Sequence, residues 1–347
     1  MKNLLLITLF ILPFFSGASV IDQTALAEIS TNIQNAYSPD MLINYAVQAG
    51  KIKDKNSINL FEQILEKCNE LDSNYSNNKF GNRINVARAY AMFYLAKLSK
   101  KNLSAKRLIE DNFKLNRAIC TALHKAKYQN LYKLIDSEIS RLFSKYNSLI
   151  NDSELALEVA RQHPGVKFIL ESYKTEKIVE PKLFDAMLDF AYFAGAIRSY
   201  KYFALCKKAL DHAGSFFWSK PIYRSILRIK TSNYNKFIFF KKELINKRNT
   251  EFDECAWDFN HPETILFSIK NISAEAYLIF AIWNLKKIDL NQKIMLIIPS
   301  LKSSSFSARA MTVDCLASNP DTFSLIEKKI NKNDKNLMKF LELKRQK

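Results

Sequence analysis

The chain has 347 residues, 48% hydrophobic and 12% aromatic, which is enough apolar side chain for a large core and excludes a disordered polymer. Its 52 Lys+Arg against 34 Asp+Glu give a formal net charge of +18, so acidic partners suit it. Part of the excess is compositional: 40 of the cations are Lys and 30 residues are Asn, the bias of an AT-rich coding sequence whatever the protein does.

At the N-terminus, Lys2 precedes a stretch from Leu4 to Phe15 that is apolar except for Thr8, and Ser16-Gly17-Ala18 supplies small residues. This predicts a signal peptide over residues 1–18, cut after Ala18, and an exported product, periplasmic or secreted. The apolar run is too short for a helix that must cross about 30 Å of hydrocarbon, and no later segment reads as a membrane span. The five cysteines (Cys68, Cys120, Cys206, Cys255, Cys315) are odd in number and widely separated, so they predict buried thiols rather than a disulfide framework. Four Asn-x-Ser triplets, at Asn74, Asn102, Asn151 and Asn271, are about what 30 Asn produce by chance and carry no argument.

Six glycines are too few for a turn-rich β architecture, and spacing argues positively for helix. Ile58, Phe61, Ile64, Leu65, Cys68 and Leu71 share one helical face, opposite Glu62, Gln63, Glu66, Lys67 and Glu70. Leu131, Leu134, Ile135, Ile139, Leu142, Phe143, Tyr146 and Leu149 repeat the pattern, as do Ala274, Tyr277, Leu278, Ala281, Ile282 and Leu285. Helix starts are marked at Ser38-Pro39-Asp40, His261-Pro262-Glu263 and Asn319-Pro320-Asp321, where Pro takes the first helical position and an acid follows. Sixteen to nineteen helices with short connections predict an all-α fold, a right-handed stack of antiparallel helical hairpins that is α-solenoid-like. Residues 19–347 read as one such domain, with candidate seams near 147–152 and 247–260.

Between Asp211 and Glu243 no acid occurs, whereas Lys220, Arg224, Arg228, Lys230, Lys236, Lys241 and Lys242 do, interleaved with Trp218, Tyr223 and six other aromatics. On a helix, Lys220, Arg224 and Arg228 form an i, i+4, i+8 stripe opposite Ile222, Ile226 and Ile229. Such a stripe suits an acidic protein or an anionic surface; a solvated helix face explains it equally, and Ile226–Ile229 with Phe237–Phe240 around Ser232-Asn233 also fits a β-hairpin. A second basic span, Lys97 to Lys133, carries ten cations against Glu110 and Asp111.

No phosphate loop, nucleophile elbow, His-Glu-x-x-His or Cys-x-x-Cys occurs, and no cofactor or metal is assigned. The acidic run from Glu251 to Glu263 contains Asp258, His261 and Glu263, which have ligand or acid/base chemistry. Helix capping accounts for the same residues. His124, His163 and His212 lack local partner patterns. At the C-terminal end, Ser307-Ala-Arg-Ala-Met-Thr-Val-Asp-Cys-Leu-Ala317 followed by Asn319-Pro-Asp resembles the degenerate pattern of HEAT-type repeats, a resemblance covering Pro262 to Ile330. The resulting expectation is an exported helical scaffold or binding protein that offers a partly basic surface to an acidic macromolecule. The alternative is an exported all-α hydrolase with carboxylate and His residues gathered from distant helices. Export disfavours a nucleic-acid partner.

Overall fold

The computed structural model describes residues 23–52, 57–74, 81–151, 181–212, 216–248 and 273–345. Residues 1–18, where the sequence predicts a signal peptide, and the run from Glu251 to Glu263, with Asp258, His261 and Glu263, lie outside them, as do His163 and Cys255. Among the described residues every regular element is a helix and none is a strand. Two compact units are present: one ends at Asn112 and adds Lys125–Tyr128, and the other comprises Phe113–His124 and the residues from Gln129 onward.

The first unit contains α1 (Gln23–Gln34), α2 (Pro39–Ile52), α3 (Ser57–Asn74), α4 (Gly81–Leu98) and α5 (Leu103–Asn112). Each packs on its neighbour in sequence, and α1 on α3, α2 on α4 and α3 on α5 as well. The apolar stripe of α3 is the reason: Ile58, Phe61, Ile64, Leu65, Cys68 and Leu71 are all buried. Close approach of α2 and α4 needs Gly50, because a Cβ there would overlap the ring of Tyr94, itself stacked on Phe61 at 5.8 Å. Pro39 and Asp40 open α2 as their chemistry predicts.

The second unit holds α6 (Arg117–Lys125, its last residue in the first unit), α7 (Leu131–Asn151), α8 (Pro181–Ile197), α9 (Lys201–His212), α10 (Phe216–Arg228), α11 (Asn233–Lys247), α12 (Ala274–Trp283), α13 (Leu290–Ile297), a 3-10 turn (Ile298–Lys302), α14 (Phe306–Ala317), α15 (Pro320–Lys329) and α16 (Lys335–Arg345). Alternate helices form one run of contacts, α8 on α10, α10 on α12, α12 on α14 and α14 on α16. Small residues set the first of these: Gly195 faces Ser225, whose Oγ donates to the Ala191 carbonyl at 2.5 Å and to Pro221 at 2.9 Å. Asn319 caps α15 by accepting from the Asp321 amide at 3.0 Å.

The β-hairpin alternative around Ser232-Asn233 does not form. Ser232 instead accepts from the Asn235 amide at 3.1 Å and caps α11, so Phe237–Phe240 are helical, as are Ile226 to Arg228 at the end of the preceding helix. No described helix is long and apolar enough to cross a membrane. Cys68, Cys120, Cys206 and Cys315 are all buried, as small apolar side chains would be.

Candidate binding groove

Helix α10 buries Ile222, Tyr223 and Ile226 completely, as the chain just past it buries Ile229, and leaves Arg224 and Arg228 exposed, the division that the apolar spacing dictates. Lys230, which follows the helix, is exposed too. Arg224 and Arg228 lie close enough to Tyr277 of α12 to favour its phenolate, but burial outweighs them and pushes that hydroxyl up to about 12. Trp218 and Lys220 fall within the backbone of α10.

The seven cations of the acid-free stretch do not share one role. Lys236 is buried, 7% exposed, and its ammonium donates to the Leu227 carbonyl at 2.7 Å, near the C-terminal end of α10. Burial lowers its pKa from the ordinary 10.5. This lysine holds α11 against α10 and presents no charge to a partner. Tyr223 is likewise internal: its ring stacks on Tyr277 at 6.5 Å, and its hydroxyl donates to Glu243 at 2.8 Å.

Replacing Lys236 by Met is therefore expected to leave anion binding unchanged while costing about 1 kcal/mol through the lost hydrogen bond, read by urea unfolding. Because the folded pKa is depressed, the unfolded chain binds more protons just below 10.5, so wild-type stability rises with pH in that window; the Met variant lacks this rise.

Lys241 and Lys242 are both exposed on α11, but only Lys242 faces a groove. This groove lies between α9 and α11, with a cavity volume of about 390 Å³. Phe203 and Phe239 form its floor, edge to face at 5.9 Å, and are 7% and 8% exposed. Tyr200, stacked on Phe203 at 6.0 Å and 60% exposed, and Ile238, 49% exposed, form the rim with Asn235. Lys207 lies 4.8 Å from the Phe203 ring centroid and 5.6 Å from that of Phe239, and Lys242 and Glu243 complete the walls.

The electrostatics of the walls differ from those of adjacent positions. Lys208, next along α9, is held by Asp136 at 2.5 Å and Ser140 at 2.7 Å on α7, so its charge is matched. Lys207 and Lys242 have no ion pair among the described residues, and the one wall acid, Glu243, is engaged by the Tyr223 hydroxyl. An apolar floor with Lys207 over its rings and Lys242 on its wall, neither of them ion-paired among the described residues, can take a side chain that is apolar at its tip and accompanied by carboxylates.

A second cluster has the residue types of a nucleophilic site without its electrostatics. Cys120 and His124 are one turn apart on α6, and Asp189 of α8 accepts from the Asn116 amide group at 2.6 Å. Burial pushes the Cys120 thiol far up, and Asp189 raises it further, so the thiol stays protonated at neutral pH. Burial and Lys201 lower the His124 pKa, leaving a neutral imidazole packed edge-on to Phe193 at 6.1 Å. In the second basic span, Lys97 lies over Phe93 at 4.3 Å, Lys106 pairs with Glu110 at 3.9 Å, and Arg117 lies over Tyr192 at 5.7 Å. No group of three metal-ligating side chains occurs among the described residues.

Comparison of the chain with protein-family models, curated proteins and solved structures found no match.

Proposed function

We propose that this protein is an exported helical scaffold, built as a stack of helical hairpins that is HEAT-like towards its C-terminal end, which binds an acidic macromolecular partner through the basic side chains of α10, α11 and the groove beside them. The contacts between alternate helices, α8 to α16, support the stacked-hairpin reading, since each repeat of a solenoid buries its face on its neighbours. The observation that carries the binding reading is the combination in one groove of recessed aromatic rings with exposed lysines that lack carboxylate partners among the described residues. Rim ion pairs contribute about 0.2–1 kcal/mol each, and burial of an anchoring side chain contributes about 2 kcal/mol, so a multi-point contact reaches useful affinity without any single strong bond.

Changing Arg224, Arg228 and Lys230 together to Glu tests this reading on immobilised polyglutamate. At about 0.1 M salt, charges more than about 10 Å apart are largely screened, so position matters more than net charge. Wild type is expected to be retained and the triple variant to elute in the void. A control with the same charge change, Lys328, Lys332 and Lys335 to Glu, uses exposed lysines of the C-terminal helices and their connection and is expected to be retained. Equal loss in both variants overturns a discrete surface.

A further inference from the structure

We infer that the groove between α9 and α11 is a specific seat for an acidic peptide segment, one aromatic or large aliphatic side chain entering against Phe203 and Phe239 while carboxylates on either side meet Lys207 and Lys242. The inference rests on the acidic-partner reading and adds the form of the ligand. Its cavity of about 390 Å³ suits a few side chains of a partner rather than a folded face. The rings are recessed, at 7% and 8% exposure, so they receive a side chain and do not protrude into another body. Charge complementarity fixes the sign of the flanks: Lys207 and Lys242 are exposed and lack ion pairs among the described residues, while Lys208 beside them is already held by Asp136. Glu243, turned to the Tyr223 hydroxyl, marks the part of the wall where a ligand carboxylate does not fit. An anionic membrane is the poorer occupant, because insertion draws on apolar side chains that stand out from the surface, and here only Tyr200 and Ile238 do so while Phe203 and Phe239 lie below them.

Helix α11 provides its own controls. Ile238 lines the groove and Ile245, 53% exposed, does not; Lys242 lines it and Lys241, also exposed, does not. The probes are three labelled dodecapeptides: Glu/Asp residues around a central Phe, the same acids around a central Ser, and Lys residues around Phe. Fluorescence anisotropy with the full chain is expected to show binding of the acidic Phe peptide, at least tenfold weaker binding of the acidic Ser peptide and none of the basic one. Ile238→Ser and Lys242→Glu should each weaken the first peptide at least tenfold, whereas Ile245→Ser and Lys241→Glu change it less than threefold; circular dichroism confirms that all four stay folded. Equal binding of the Phe and Ser peptides, or equal effects of groove and control variants, overturns the inference. So does displacement of the peptide by anionic phosphatidylserine vesicles at lower concentration than by unlabelled peptide, which assigns the groove to a membrane, or a bound fraction that falls as the protein concentration is raised, which assigns it to a second copy. If no peptide binds while wild type is still retained on polyglutamate through Arg224, Arg228 and Lys230, the peptide seat fails and the acidic-partner reading stands; if retention is absent too, both fail.

Discussion

Replacing Glu275 by Ala is expected to destabilise the second unit by about 3 kcal/mol, measured as an earlier transition in urea unfolding followed by circular dichroism. Glu275 sits in the first turn of α12 and is 1% exposed. Its carboxylate accepts from Ser300 at 2.5 Å and from Ser303 at 2.6 Å, and the Arg248 Nε lies 4.0 Å away. Removing the carboxylate takes the acceptor from two buried hydroxyls and leaves the Arg248 charge, only 23% exposed, without this counter-ion. Glu275→Gln keeps one acceptor, and the Ser hydroxyls can rotate to accept from its amide, so that variant is expected to lose only about 1 kcal/mol. Equal losses for Ala and Gln would place the stabilisation in the charge pair with Arg248 alone.

Arg88→Leu is expected to have a comparable effect on the first unit, about 3 kcal/mol. The Arg88 side chain is 3% exposed, yet its guanidinium ties α4 to α3 through the Cys68 carbonyl at 3.2 Å, Asn69 Oδ1 at 2.9 Å and Asp72 Oδ2 at 2.9 Å. A leucine fills much of the volume but satisfies none of these acceptors. Arg88→Lys keeps the charge and loses the planar fork that reaches several acceptors at once, so an intermediate loss is expected. A separate measurement of each unit, by hydrogen exchange in α3–α4 and in α12–α14, distinguishes the two variants: each should loosen its own unit.

The helical class was legible because the signals were local. The stripe of α3 and the Pro-acid starts of α2 and α15 need only residues a few positions apart, and the physics of a helix acts over the same distance. Lys236 shows local reasoning applied incompletely. Grouped with the surface cations, it in fact shares an i, i+4, i+8 face with Phe240 and Leu244, both buried, and that spacing was available in the sequence. Glu275 offered a weaker signal: it resembles an exposed first-turn acid, but it lies in a helix apolar all round, where a lone carboxylate must find partners inside. The groove was not legible. Tyr200, Phe203 and Lys207 lie before the acid-free stretch and meet Ile238, Phe239 and Lys242 only through the packing of separate helices. The matching of Lys208 by Asp136, 72 residues away, which sets Lys207 apart, is equally a product of tertiary structure.

Hydrogen exchange with and without saturating polyglutamate tests the central claim, that an acidic partner engages the basic helices of the second unit, most directly. Slowed exchange is expected in Lys201–His212, Phe216–Arg228 and Asn233–Lys247, with the helices from Gln23 to Asn112 unchanged. Protection confined to the helices from Gln23 to Asn112, or spread evenly over every lysine-bearing helix, would contradict it.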